Sequence, residues 1–203
     1  MTSTETAPST TQLSRERTDL LESLARHRFF LRFTVRDLTD EQATARPTAS
    51  ALCLGGLIKH VAETEKQWMD FAVGGAQAMA GGADAEMDWN SRFDMAPGDT
   101  LADVLARYDE VAARTDELVA TLDLDADYPL PEAPWFEPGA RWSVRRVVLH
   151  VIAETSQHAG HADIIREFID GKGGADQDDF DEATWREYVT EIQASADAFA
   201  PGS

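Results

Sequence analysis

The sequence predicts an all-α fold, a bundle of four long helices with long interhelical loops and a short C-terminal helix. Three observations predict it. Apolar residues recur at spacings of three and four in separate stretches, no stretch alternates as a strand would, and proline and glycine concentrate between the stretches. With 203 residues and 43% hydrophobic content, the chain is long enough for one well-buried core and short for two. One bundle is therefore expected over residues 12–171. A polar leader at 1–11, expected to be disordered, precedes it, and a loop and helix at 172–203, expected to pack on or near the bundle, follow it.

In the first helix, about 12–35, Leu20, Leu21, Leu24, Phe30, Leu31 and Val35 keep the helical spacing. A short turn of helix follows, where Thr39 and Gln42 have the spacing of a capping box, and Pro47 breaks the next segment. The second long helix is expected from Leu54 or Gly55 to about Val73, burying Leu57, Val61, Thr64, Trp68 and Phe71, with His60 in the same stripe. Residues 74–99 carry Trp89 and Phe93 without period and read as a long connection. Thr100 and Asp103 then open a third helix marked by Leu101, Val104, Leu105, Tyr108, Val111, Leu118, Val119 and Leu122. Between 123 and 141, Pro129, Pro131, Pro134 and Pro138 surround Trp135 and Phe136, a proline density that excludes helix. Ser143 caps a fourth helix whose stripe, Val147, Val151, Ile164, Ile165 and Phe168, runs to a stop at Gly171. Asp178, Asp179, Asp181 and Glu182 lie at the start of a final helix, about 181–199, where acidic groups complement the N-terminal dipole.

Composition removes whole classes of function. The chain carries 37 acidic and 18 basic residues, a formal charge of −19 that repels nucleic acid and anionic membranes. No segment has the apolar length of a membrane span, and Met1–Gln12 lacks the apolar stretch of a secretory signal, so a cytoplasmic protein is expected. The single cysteine, Cys53, excludes an internal disulfide and a cysteine-based zinc framework. Near a helix N-terminus it is either a reactive thiolate or a buried, inert side chain. The expected partners are a small-molecule substrate and, at most, a second copy of the chain in a homodimer.

Three of the five histidines fall within residues 150–161. An α-helix advances roughly 100° per residue, which gathers His150, Glu154, His158 and His161 into an arc of about 80°. Glu154 and His158, four apart, lie on successive turns and can share one ion. A carboxylate on a core-facing position costs several kcal/mol to desolvate unless a positive charge pairs with it, and a divalent metal supplies that charge. His60, on the inward stripe of the second helix, would provide a ligand from a second element. The same residues also fit a buried Glu–His hydrogen-bonded network, or a helix face turned to water, with His60 a core histidine. Glu63 and Glu65 read as a solvated face, Glu63 being also near enough on the helix to support the ligands, and His27, in a charged run, as surface; the loop aromatics Trp89, Phe93, Trp135 and Phe136 form either a lid over the metal or packing against the bundle.

The stretches Leu54-Gly-Gly-Leu-Ile-Lys-His60, with Glu65 and Trp68, and Leu149-His-Val-Ile-Ala-Glu154-Thr-Ser-Gln-His158-Ala-Gly-His-Ala-Asp163, continuing to Gly171, resemble the DinB/YfiT-like superfamily of metal-binding four-helix bundles. The Glu154 form is similar to the pattern of mycothiol-dependent maleylpyruvate isomerase. The resemblance implies a four-helix bundle of the DinB-like type over most of the chain. It implies metal ligands at His60, Glu154 and His158, with zinc foremost and nickel, iron or manganese also suited. It gives His161, His150 and Arg166 supporting or substrate-contacting roles, Arg166 being otherwise a surface partner of Glu167 or Asp170. The function it implies is a transferase or isomerase that uses a low-molecular-weight thiol such as mycothiol on a small electrophile. A non-catalytic metal-binding stress or regulatory protein and a metal-assisted hydrolase stay open beside it.

Overall fold

The structure, a computed structural model, describes residues 13–79, 92–174 and 181–199. The leader at 1–11, Trp89, and Asp178 with Asp179 lie outside the described residues. Helix α1 (Arg15–Phe33) starts at Ser14, whose hydroxyl accepts from the Arg17 amide. Helix α2 (Asp40–Thr44) carries the capping box of Thr39 and Gln42. Helix α3 (Leu54–Gly74) ends at Gly75, whose positive φ of 72° turns the chain into a short 3-10 turn at Ala76–Ala78. Helix α4 (Leu101–Thr121) has a second reciprocal box between Thr100 and Asp103. Helix α5 (Val144–Asp170) runs from the Ser143 cap to Gly171 in the left-handed conformation. Helix α6 (Glu182–Asp197) is capped by Asp181.

Side-chain contacts set the directions of the four long helices. Arg145 reaches Glu16 and Arg166 reaches Thr34, so α1 and α5 run parallel. Arg17 bonds Leu122 and Arg32 pairs with Asp109, so α1 and α4 run antiparallel. His60 meets His158 while Trp68 meets His150, so α3 and α5 also run antiparallel. Helices α3 and α4 are therefore parallel, and a parallel pair of 21-residue helices needs a connection spanning about 30 Å of helix length. That requirement accounts for the long segment between Gly75 and Thr100. Two apolar clusters fill the interior. Leu31, Leu57, Ile58, Val61, Val104, Tyr108 and Ile165 belong to one, and Leu24, Met69, Phe71, Val119, Val147 and Val151 to the other.

Three expectations are corrected. Within the proline-rich stretch, β1 (Asp127–Pro129) and β2 (Arg141–Ser143) pair antiparallel, with Tyr128 opposite Trp142. Three-residue strands are too short to show alternation in a sequence, and Pro129 takes a strand-end position where its missing N–H costs nothing. Ile164 and Phe168 are 55% and 64% exposed, because the last turns of α5 pack inward through Ile165 and Arg166 instead, Arg166 bonding the carbonyls of Thr34 and Arg36. Glu65 is 1% exposed instead of solvated, because Arg28, itself buried, donates to its carboxylate from α1 and to Asp116 on α4. No helix among the described residues is long and apolar enough to cross a membrane.

Candidate metal centre

The antiparallel register of α3 and α5 places His60 against His158, with ring centroids 4.8 Å apart. Glu154 lies one turn before His158, its Oε2 3.6 Å from His158 Nε2. One donor atom from each of His60, Glu154 and His158 lies within 4.8 Å of the other two. Two ligands each bound at ~2.1 Å to a tetrahedral ion stand about 3.4 Å apart, so the Glu154–His158 spacing already matches one edge of such a site.

The electrostatics suit a cation. Burial of His60, with His158 alongside, pushes its pKa down to about 4, so its lone pair is free at neutral pH. The hydrogen bond with His158 holds the Glu154 carboxyl below its usual range despite partial burial, with His150 adding to the effect. Two imidazole nitrogens and a carboxylate oxygen form a donor set for borderline divalent ions, and three protein ligands leave a coordination position open.

The other predicted residues fall into two groups. His161, exposed at the surface, sets its Nδ1 3.4 Å from His158 Nδ1. This contact at Nδ1 leaves the opposite ring nitrogen of His158, Nε2, facing Glu154. His150 stands on the other side of Glu154, Nε2 to Oε1 3.9 Å, and burial lowers its pKa. Arg166 is not part of this cluster. It is 1% exposed, bonds Asp170 through both Nε and Nη2 at 2.8 Å, and donates to the carbonyls of Thr34 and Arg36. The Asp170 partner was among the alternatives read from the sequence, but Arg166 itself is buried beneath an exposed Asp170, and its hydrogen bonds clasp α5 to the end of α1.

Of the loop aromatics read from the sequence as either a lid or packing, Phe93 stands against the cluster and Phe136 packs beside it. Phe93 lies 4.4 Å from the His60 ring and 6.0 Å from that of His158. It can do so because Gly56 has no side chain, while Gly55 makes the same room for Met95. A Cβ on Gly56 would stand 1.6 Å from the Phe93 carbonyl oxygen. Cys53 Sγ and Lys59 Nζ donate to the carbonyls of Phe93 and Asp94 and tie the same segment down. Cys53 is thus a buried packing residue, 1% exposed. At the His150 end, Trp68 and Trp142 stack at 4.8 Å, and His150 meets both edge-on at 4.8 and 5.0 Å. Phe136 packs against the same two tryptophans, whereas Trp135 is 67% exposed. The paired glycines before His60 were the available signal for a close backbone approach. Trp142 carried none, being one apolar residue at a loop end.

No curated protein matches the chain. A family model described as mycothiol S-transferase matches residues 19–171, a span that includes most of α1, all of α3, α4 and α5, and the residues of the cluster. The chain belongs to the mycothiol S-transferase family, within the DinB-like superfamily.

Proposed function

We propose that the protein is a metal-dependent transferase that joins the sulfur of a low-molecular-weight thiol, mycothiol in the first instance, to a small electrophile. The convergence of His60, Glu154 and His158 on one point in the bundle carries the reading. A divalent ion held there, zinc being the best match to the donors, supplies a Lewis-acid position that favours a thiolate near neutral pH. Nickel, iron and manganese suit the same donors.

The residues of the chain supply the rest. Neutral His60 and anionic Glu154 present lone pairs without a proton having to leave first. Phe93 covers the His60 side, and the Trp68–Trp142 stack walls the His150 side, which keeps water from competing with sulfur. In the transfer a sulfur–carbon bond forms at the electrophile, its leaving group departs with the bonding pair, and the thiol proton passes to solvent. An isomerase on the same site would release the thiol again after rearrangement.

The test is turnover of a small alkylating electrophile by the metal-loaded protein with mycothiol, with N-acetylcysteine, and in thiol-free buffer. Thiol-dependent product, abolished in His158→Ala, is expected. Product formed at full rate without thiol contradicts the transferase and assigns hydrolysis to the site.

A further inference from the structure

Helix α6 carries an apolar stripe that no described residue buries. At roughly 100° per residue, Trp185, Tyr188, Val189, Ile192 and Ala196 fall within an arc of about 100°, and Glu187, Thr190 and Glu191 lie outside it. No residue of the helix is buried. Trp185 alone is half-buried, and it lines a depression between α1 and α5 together with Phe30 and Asp163.

The same face of α1 and α5 continues into an open groove of about 640 Å³, lined by Leu20, Ser23, Leu149 and Ile152 and by the exposed Arg15–Asp19 pair. The two depressions are stretches of one channel. Ser23 in one and His27 in the other are a turn apart on α1, as are Ile152 and Ser156 on α5. Leu149 is 52% and Ile192 51% exposed, so beyond Trp185 the helix does not occupy the groove of its own chain. A channel that accepts the first aromatic of α6 is thus left uncovered at its far end, and the rest of the matching stripe is left uncovered as well.

We propose that this face is the interface of a two-fold homodimer, in which α6 of each copy lays its stripe in the Leu149 end of the other copy's groove. Ser156, exposed, lies midway along α5 between Leu149 and Asp163. A two-fold axis beside Ser156, with the two α5 helices antiparallel, brings the Trp185 end of one copy opposite the Leu149 end of the other. A 16-residue helix is about 24 Å long and about 10 Å wide. Two such helices seated in two grooves cover roughly 1,000 Å² in projection, and accessible area exceeds projected area, which meets what a specific interface needs. Each copy carries a charge of −19, so repulsion opposes pairing, and salt that screens it tightens the dimer.

The experiment is sedimentation of the full-length protein over a range of concentrations, at low and at moderate salt. A dimer favoured by salt is expected, with its Kd raised about tenfold or more in Leu149→Glu and in Ile192→Glu. Both positions are exposed in the single copy, so the unfolding midpoints of the dilute variants are expected to stay close to that of the unsubstituted protein. Mild oxidation of Leu149→Cys protein mixed with Ile192→Cys protein is expected to link the two chains, Cys53 being buried and taking no part. A monomer at every concentration overturns the proposal, as does a dimer indifferent to both glutamate variants. A disulfide that forms within the chain carrying Leu149→Cys and Ile192→Cys together, but not between the singly substituted chains, also overturns it and gives the groove to the chain's own α6.

Discussion

At the residue scale, the site depends on what is missing at position 56 as much as on what is present at 60, 154 and 158. The Phe93 segment lies directly on the Gly56 backbone, so any side chain there must push it away from His60. Gly56→Ala is expected to lower stability by about 1–3 kcal/mol, the usual range for overpacking, and to weaken metal retention as Phe93 moves. Gly160→Ala is the control, because a Cβ at that helical glycine meets nothing within 4 Å and the substitution favours helix by about 0.5–1 kcal/mol. Chemical denaturation of both variants checks the pair, and equal losses in the two would refute the close-approach argument. The nearness of Glu154 and His158 could be read in the sequence because helical spacing alone brings them together, whereas the approach of His60 is set by the packing of α3 on α5. Phe93 could be read only as lid or packing, since a loop residue's partner is set by a tertiary contact that no local period encodes.

At the element scale, three helices are joined by one buried guanidinium. Arg28 on α1 is bound to Glu65 on α3 and to Asp116 on α4, and these carboxylates hold its pKa above the ordinary arginine value despite burial. Breaking such a pair from one side strands a charge in the core. Arg28→Met is expected to cost about 3–5 kcal/mol, and adding Glu65→Leu is expected to recover most of it. Urea denaturation of the single and double variants decides this, and a double variant as unstable as the single would contradict it. Helices α1, α3, α4, α5 and α6 were legible from their stripes and caps, with boundaries close to those observed. Glu65 was misread because a charged residue normally marks a solvated face. Only the partner on α1, 37 positions away in the chain, reverses that assignment. The β1–β2 ribbon escaped for a related reason, since its three-residue strands exist only through pairing.

At the scale of the whole molecule, α5 does two jobs. Its middle carries Glu154 and His158, and its end is clasped to α1 by Arg166 and Asp170. The Arg166 hydrogen bonds hold the Asp170 carboxyl below its ordinary value of 3.8. For an acid with a depressed folded-state pKa, the stabilisation is complete above the unfolded value and fades as pH falls through the folded one. Asp170→Asn is therefore expected to cost about 0.2–1 kcal/mol at pH 7, solvent screening the exposed carboxylate, and its deficit relative to the unsubstituted protein is expected to shrink below about pH 4. Unfolding curves at pH 7, 4 and 3 check the sign, and a deficit that grows with acid would contradict it. The polar layer of the metal cluster lies among the apolar residues of the bundle, where partly buried imidazoles and a carboxylate have their clearest physical justification in a shared cation. The most direct measurement is elemental analysis of the purified protein after zinc loading and exhaustive dialysis, beside His60→Ala, Glu154→Ala and His158→Ala. The account predicts one zinc per chain, lost in each variant; a protein without stoichiometric metal, or one that keeps it in all three variants, would contradict it.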